Sequence, residues 1–170
     1  MDAGKKRGSF FYPEIGDEVI LGFMNDDPRE PVILGMLYSK NADGKPPIEP
    51  TEDNFIKGIY TKEKLKLVFD DEKKTVTIET PGGNKIFIAD DDDSVITLTD
   101  SNNNKIEMTK DGIDITSGKD IKMKATGDIT IEGVNITISA DAQFKAEGSA
   151  GVEMSSSATA VLKGSIVQIN

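Results

Sequence analysis

The chain has no histidine, no cysteine and no tryptophan in 170 residues, and each absence removes a class of chemistry. Without histidine there is no Ser/His/Asp triad and no imidazole general base. Without cysteine there is neither a disulfide framework nor a thiolate metal site. Aromatic residues make up only 6%, so the bulky core of a compact enzyme is poorly supplied and Ile and Val must do most of the packing. No apolar run approaches membrane-spanning length, and no signal peptide is evident at the N-terminus. Positive charge is also short: 20 Lys and Arg against 30 Asp and Glu leave a net charge of −10. Nucleic acid is therefore not an expected partner, since phosphate contacts need basic patches. The acidity instead keeps a long object soluble and apart from its neighbours.

What the chain does have is rhythm. From Gly112 onward an apolar–x–apolar phrase recurs about every eight residues: Ile113/Ile115, Ile121/Met123, Ile129/Ile131, Ile136/Ile138, Phe144/Ala146, Val152/Met154, Ala160/Leu162 and Val167/Ile169. Two positions beyond each complete phrase stands a small residue: Ser117, Ala125, Gly133, Ala140, Gly148, Ser156 and Gly164. Side chains two apart on an extended strand share a face, so each phrase is a short strand with one dry face. The residues between are mostly Thr, Lys, Glu, Asp, Ser or Gln, and the other face should be wet. A helix would want apolar spacings of three and four, and the recurring Gly and β-branched residues argue against it. The small position suits a corner where strands turn and converge, because a large side chain would not fit there.

Such strands cannot bury their dry faces as an open ribbon without leaving long adhesive edges. Winding them into a β-helix removes the edges. A single-chain solenoid with three eight-residue sides needs about 24 residues per coil, which gives this segment little more than two coils and no evident cap. Three chains wound together triple the strands over the same length. The expected fold is therefore all-β and homotrimeric, with an intertwined triple-stranded β-helix whose core holds Ile113, Ile115, Ile121, Met123, Ile129, Ile131, Ile136, Ile138, Phe144, Val152, Met154 and Leu162. The monomeric solenoid is the structural alternative.

Upstream the period lengthens to ten: Val76/Ile78, Ile86/Ile88, Ile96/Leu98 and Ile106/Met108 alternate with turn-rich inserts, and Leu67/Phe69 adds a further strand. The first 40 residues differ again. Val19, Leu21 and Phe23 share one face of a strand, Asn25-Asp26-Asp27-Pro28 is a polar turn, and Pro31 to Leu37 forms a second strand. Two strands are too few for an independent domain. The organisation read from sequence is thus partial barrel strands over 1–40, a Pro/Gly/Lys linker over 41–57, a wider β-prism with ten-residue repeats over 58–110, and a β-helix with eight-residue repeats and tip over 111–170.

The run Pro13-Glu14-Ile15-Gly16-Asp17-Glu18-Val19, then Gly22-Phe23, Asp27-Pro28, Pro31-Val32 and Gly35-Met36-Leu37-Tyr38, resembles the closing strands of the OB-type barrel (oligonucleotide/oligosaccharide-binding type) in VgrG spike proteins and contractile phage baseplates. In that family a triple-stranded β-helix follows the barrel, as the repeats independently suggest. The ending Gly164-Ser165-Ile166-Val167-Gln168-Ile169-Asn170 resembles the tips of type VI secretion VgrG proteins from Bacteroidetes. Valine-glycine repetition, typical of the family, is sparse here, with only Gly133-Val134 and Gly151-Val152. The resemblance implies a noncatalytic, membrane-puncturing spike with no cofactor and no metal. It implies a tip protein of the Pro-Ala-Ala-Arg-repeat (PAAR) type docked on residues Gly164 through Asn170. Hub and tube proteins would join through upstream domains absent from this sequence, and the target-cell envelope would be met during puncture. Assembly in the bacterial cytoplasm followed by ejection fits both the lack of cysteine and export without a signal peptide.

Other motifs read plainly. Asp90 to Asp93 and the alternating Asp100, Asn102, Asn104 offer hard oxygen ligands, but neither matches a calcium loop, and solvated turns are the expected reading. Asn135-Ile136-Thr137 fits a glycosylation acceptor and is read as plain strand. Lys5-Lys6-Arg7 is expected to be a frayed, solvated terminus. Two other functions stay open: a fibrous adhesin or tail-fibre stalk, which here would lack a distal head, and a β-helical polysaccharide-processing enzyme, which would need paired carboxylates in a groove.

Overall fold

The computed structural model describes residues 3–39, 44–90 and 94–169. Lys40, residues 41–43 of the linker, Asp91 to Asp93 of the acidic run and Asn170 of the tip therefore lie outside the described residues. The described chain contains eleven strands and one short 3-10 turn, in two units, Met1–Lys122 and Met123–Asn170.

In the first unit, β1 (Ala3–Gly4) and β2 (Arg7–Gly8) pair antiparallel as a minimal hairpin. Lys5 and Lys6 make its turn, Lys6 in the left-handed region at φ 59. The basic run is thus a hairpin tip and not a frayed end. Next come β3 (Glu18–Phe23) and β4 (Pro31–Leu37), also antiparallel. Ile20 faces Gly35 while Leu21 faces Ile33, so Leu34 is an extra residue in β4, a β-bulge. Their connection turns through Asn25 (φ 51) and Asp26 (φ 58), and Asp27 closes it by accepting hydrogen bonds from Arg29 Nε at 3.0 Å and from its terminal nitrogen at 2.7 Å. That pairing holds the Asp27 carboxyl below its ordinary range.

The rest of the unit is a seven-stranded antiparallel meander: β5 (Ile56–Tyr60), β6 (Lys66–Asp70), β7 (Thr75–Glu79), β8 (Lys85–Ala89), β9 (Ile96–Thr99), β10 (Lys105–Thr109) and β11 (Gly112–Thr116), each paired with the next. Three turns at one end share a design. Thr61 Oγ accepts from Leu65 N at 3.1 Å, Thr80 Oγ from Asn84 N at 3.3 Å, and Asp100 Oδ1 from Asn104 N at 2.9 Å. In each turn the fourth residue takes positive φ: Lys64 (63), Gly83 (88) and Asn103 (64). An oxygen-bearing side chain opens the turn and a residue tolerant of the left-handed region closes it. The ten-residue period is one strand plus one reversal, and this turn closes every second one, about 20 residues apart.

In the second unit the described residues form no strand pair. The chain bends at 126–127, 134, 141–142, 149–150, 157–158 and 165–166. Each bend follows directly on a small residue: Ala125, Gly133, Ala140, Gly148, Ser156 and Gly164. The corner crowds: a Cβ at Gly148 would collide with the carbonyl oxygen of Gly151, and one at Gly164 would lie 3.1 Å from that of Ile166.

Candidate functional site

Strand register carries the apolar pairs of the meander into two continuous rows on one face. The first runs Ile59, Leu67, Ile78, Ile86, Leu98, Ile106, Ile115, and the second runs Phe69, Val76, Ile88, Ile96, Met108, Ile113, ending at Lys57 beyond Phe69. With adjacent strands about 4.8 Å apart, seven strands make a stripe roughly 29 Å long. The opposite face is mixed and polar. Lys66 pairs with Glu79 at 3.0 Å and Lys105 with Glu107 at 2.6 Å, while Lys85 Nζ sits 4.6 Å from the centre of the Phe87 ring.

The apolar face is left open by the single chain. Ile78 is 46% exposed, Leu98 48% and Ile113 66%, and among the described residues only Ala89 is a buried hydrophobic. Beyond β11 the chain is barer: Ile121 at the end of the first unit, and Met123, Ile129, Ile131, Ile136, Ile138, Phe144, Val152, Met154 and Leu162 of the second, are all more than half exposed. A compact monomer of this mass would expose about 8,200 Å², whereas this chain exposes 16063 Å². Apolar surface on this scale marks an association face. The unpaired backbone beyond Thr116 adds to the demand, since strand N–H and C=O groups require partners when covered.

Ile113 and Ile115 are thus joined to the meander rows through β11, whereas Ile121 onward stand on backbone that forms no strand pair within the chain. At the C-terminal end Val167 is about half exposed, while Ile166 and Ile169 are almost wholly so. Sequence reasoning passed over Ile59, because Lys57 and Gly58 interrupt the alternation in β5. The available signal was the Thr61-to-Lys64 turn that follows it.

The described residues hold no group of three or more Asp or Glu side chains placed to bind a metal ion. The Asp100 loop shows why: its carboxylate accepts from the backbone and side-chain nitrogens of Asn104 at 2.9 and 2.8 Å, and from Asn102 N at 2.8 Å. These bonds, those from Asn104 foremost, lower its pKa from 3.8 to about 2. The acceptor is committed to shaping a turn. No described helix is long and apolar enough to cross a membrane.

Comparison with known proteins accords with this geometry. Residues 1–38 match the type VI secretion system/phage-baseplate injector OB domain, and residues 74–170 match the phage baseplate V C-terminal trimerisation domain. Relatives include the type VI secretion system spike proteins VgrG1a and VgrG1c of Pseudomonas aeruginosa, each 47% identical over 47 residues, covering 28% of this chain and 7% and 6% of those proteins. The spike protein VgrG3 of Vibrio cholerae is 47% identical over 36 residues, 21% of this chain and 4% of that protein. The matched stretches thus span less than a tenth of the length of these relatives. With an injector OB segment at one end and a trimerisation domain over more than half of its length, the chain belongs to the phage baseplate V family of VgrG-type spike proteins.

Proposed function

We propose that three copies of this chain form a noncatalytic puncturing spike of a contractile injection apparatus, with a PAAR-type tip protein seated on Gly164 through Asn170 and effectors carried with it. The observation that most supports this reading is the run of exposed apolar residues, on backbone that forms no strand pair within its own chain, lying within residues matched to a trimerisation domain. Stiffness along the axis is the property a puncturing element needs, and it follows from strands whose backbone bonds and dry faces are all closed between copies. The platform reading rests on Ile166 in the last bend and Ile169 beyond it, both almost fully exposed. Hub and tube proteins would attach through upstream domains, the target-cell envelope would be the surface crossed, and the spike would be assembled in the bacterial cytoplasm before ejection.

The test is deletion of Ile166 to Asn170, assayed by solution mass and by titration with a purified PAAR-type tip protein. The deleted protein should keep a mass of three chains and lose tip binding. Retained tip affinity would remove the platform assignment, and a mass of one chain for the intact protein would remove the spike itself.

A further inference from the structure

Beyond the first apolar row of the meander lies a polar step, at the corner where the chain leaves the sheet. Lys105 faces Thr116 in the last pair of β10 and β11, so one step further out Asn104 stands opposite Ser117, on the face that carries Ile106 and Ile115. Ser117 Oγ donates to Asn104 Oδ1 at 2.7 Å and accepts from Lys119 N at 3.2 Å. Asn104 is held from its other side, its side-chain amino group donating to Asp100 Oδ2 at 2.8 Å. The bend at 118–119 therefore rests on the Asp100 turn, and closely: a Cβ at Gly118 would lie 3.3 Å from the Asn102 carbonyl oxygen.

The direction of each bond in this series is set by its first group. An ionised carboxylate only accepts, so Asp100 takes the amino end of the Asn104 amide and leaves the amide oxygen toward Ser117. The serine hydroxyl must then donate to that oxygen, which frees its lone pairs for Lys119 N. At the other two turns of the same design the opening residue is Thr61 or Thr80, whose hydroxyl can donate or accept and imposes no such order. The carboxylate stands at the turn that adjoins the exit. At later bends the small residue is Ala or Gly, with no polar side chain to offer, or Ser156, which accepts from Ala158 N two residues on at 3.3 Å.

We propose that Asp100, Asn104 and Ser117 form a latch that fixes, within each chain, where and in what direction it leaves the meander, so that the eight-residue phrases meet those of other copies already in register. The first bend is set by the chain alone, and the later ones follow from it. The gain is kinetic, because conformations excluded before the chains meet need not be searched at the encounter. The role in assembly rests on the threefold reading proposed above, while the latch itself lies wholly within one chain.

The chain has no cysteine, so Asn104→Cys combined with Ser117→Cys puts a single disulfide in place of the latch. Directly opposed residues stand about 4.5–5.5 Å apart between Cβ atoms, or closer, which is within reach of that bond. The full chain is denatured, diluted into buffer and followed by solution mass as the three-chain species forms. Ser117→Ala should recover severalfold more slowly than wild type, and the oxidised double variant severalfold faster than the same protein reduced. A disulfide from Lys66→Cys with Glu79→Cys, opposed residues of β6 and β7, controls for stapling any hairpin and should leave the rate unchanged. Equal rates for Ser117→Ala and wild type, or an equal gain from the control disulfide, would overturn the latch and leave the spike reading standing. A mass of one chain throughout for wild type would overturn both. Should Ser117→Ala fail to fold, the oxidised and reduced forms of the double variant still decide.

Discussion

Replacing Ile129 is the sharpest probe of the packing. Ile129 is 53% exposed in the single chain, and burying a whole isoleucine side chain is worth about 1.5–3 kcal/mol. Covering the exposed half on assembly therefore contributes about 0.8–1.6 kcal/mol per copy. Over three copies that is about 2.5–5 kcal/mol, or roughly two to three and a half decades in the dissociation constant of the trimer. Ile129→Ala should lose most of this. Ile129→Asp should do worse, because three carboxylates would be drawn together out of water, each disfavoured by desolvation and by its two like-charged neighbours. Thr130→Asp, one residue along and on the opposite side of the strand, is the control and should leave the trimer near wild type. The assay is sedimentation velocity over a dilution series, with thermal melting of the same samples. Intact trimers and an unchanged melting temperature for Ile129→Asp would refute the inward placement of the Ile129/Ile131 face, and with it the parity assigned to every eight-residue repeat.

Two further predictions follow from corners and turns. Gly148→Val should displace the bend after residue 148, since even a Cβ there meets the Gly151 carbonyl oxygen, and should weaken the trimer by about tenfold or more; Gly82→Ala, with nothing within 4 Å, should stay within about 0.5 kcal/mol of wild type in the same melts. The Asp100 carboxyl, depressed in the folded chain from 3.8 to about 2, contributes stability that is fully present above pH 3.8 and is lost as pH falls toward 2; in acid titrations Asp100→Asn should flatten that part of the stability profile, and an unaltered slope would contradict the role given to the turn.

Much of this was legible because period two is hard to mistake. Val76/Ile78, Ile86/Ile88 and Ile106/Met108 each occupy one strand, and the small residue of every eight-residue phrase stands just before a bend. The difference in pairing between the two repeat types was harder to see, though its physical cause is in the spacing. Ten residues allow a five-residue strand and a full reversal, so the chain can pair with itself. Eight residues leave room only for a bend of one or two, so the strand carries on and must find partners elsewhere. The bulge at Leu34 was not legible, because an extra residue in an apolar run changes no pattern that sequence alone displays. The seat of a tip protein is an expectation from resemblance alone, since Val167/Ile169 reads in the sequence as one more apolar pair of the repeat.

The turn shared by Thr61, Thr80 and Asp100 has an implication for how such a protein changes length over evolutionary time. Each of these reversals is closed by its own side chain and needs nothing from the next hairpin, so a strand and its turn form a portable unit. Gaining one such unit would send the chain out of the sheet at the opposite end, pointing everything downstream the wrong way. Gaining two restores the direction, keeps the alternation of faces and widens the sheet by about 9.6 Å. Growth and shrinkage of the meander are therefore quantised in pairs, and an odd-numbered repeat change should appear only alongside a compensating rearrangement at the crossing into the eight-residue phrases.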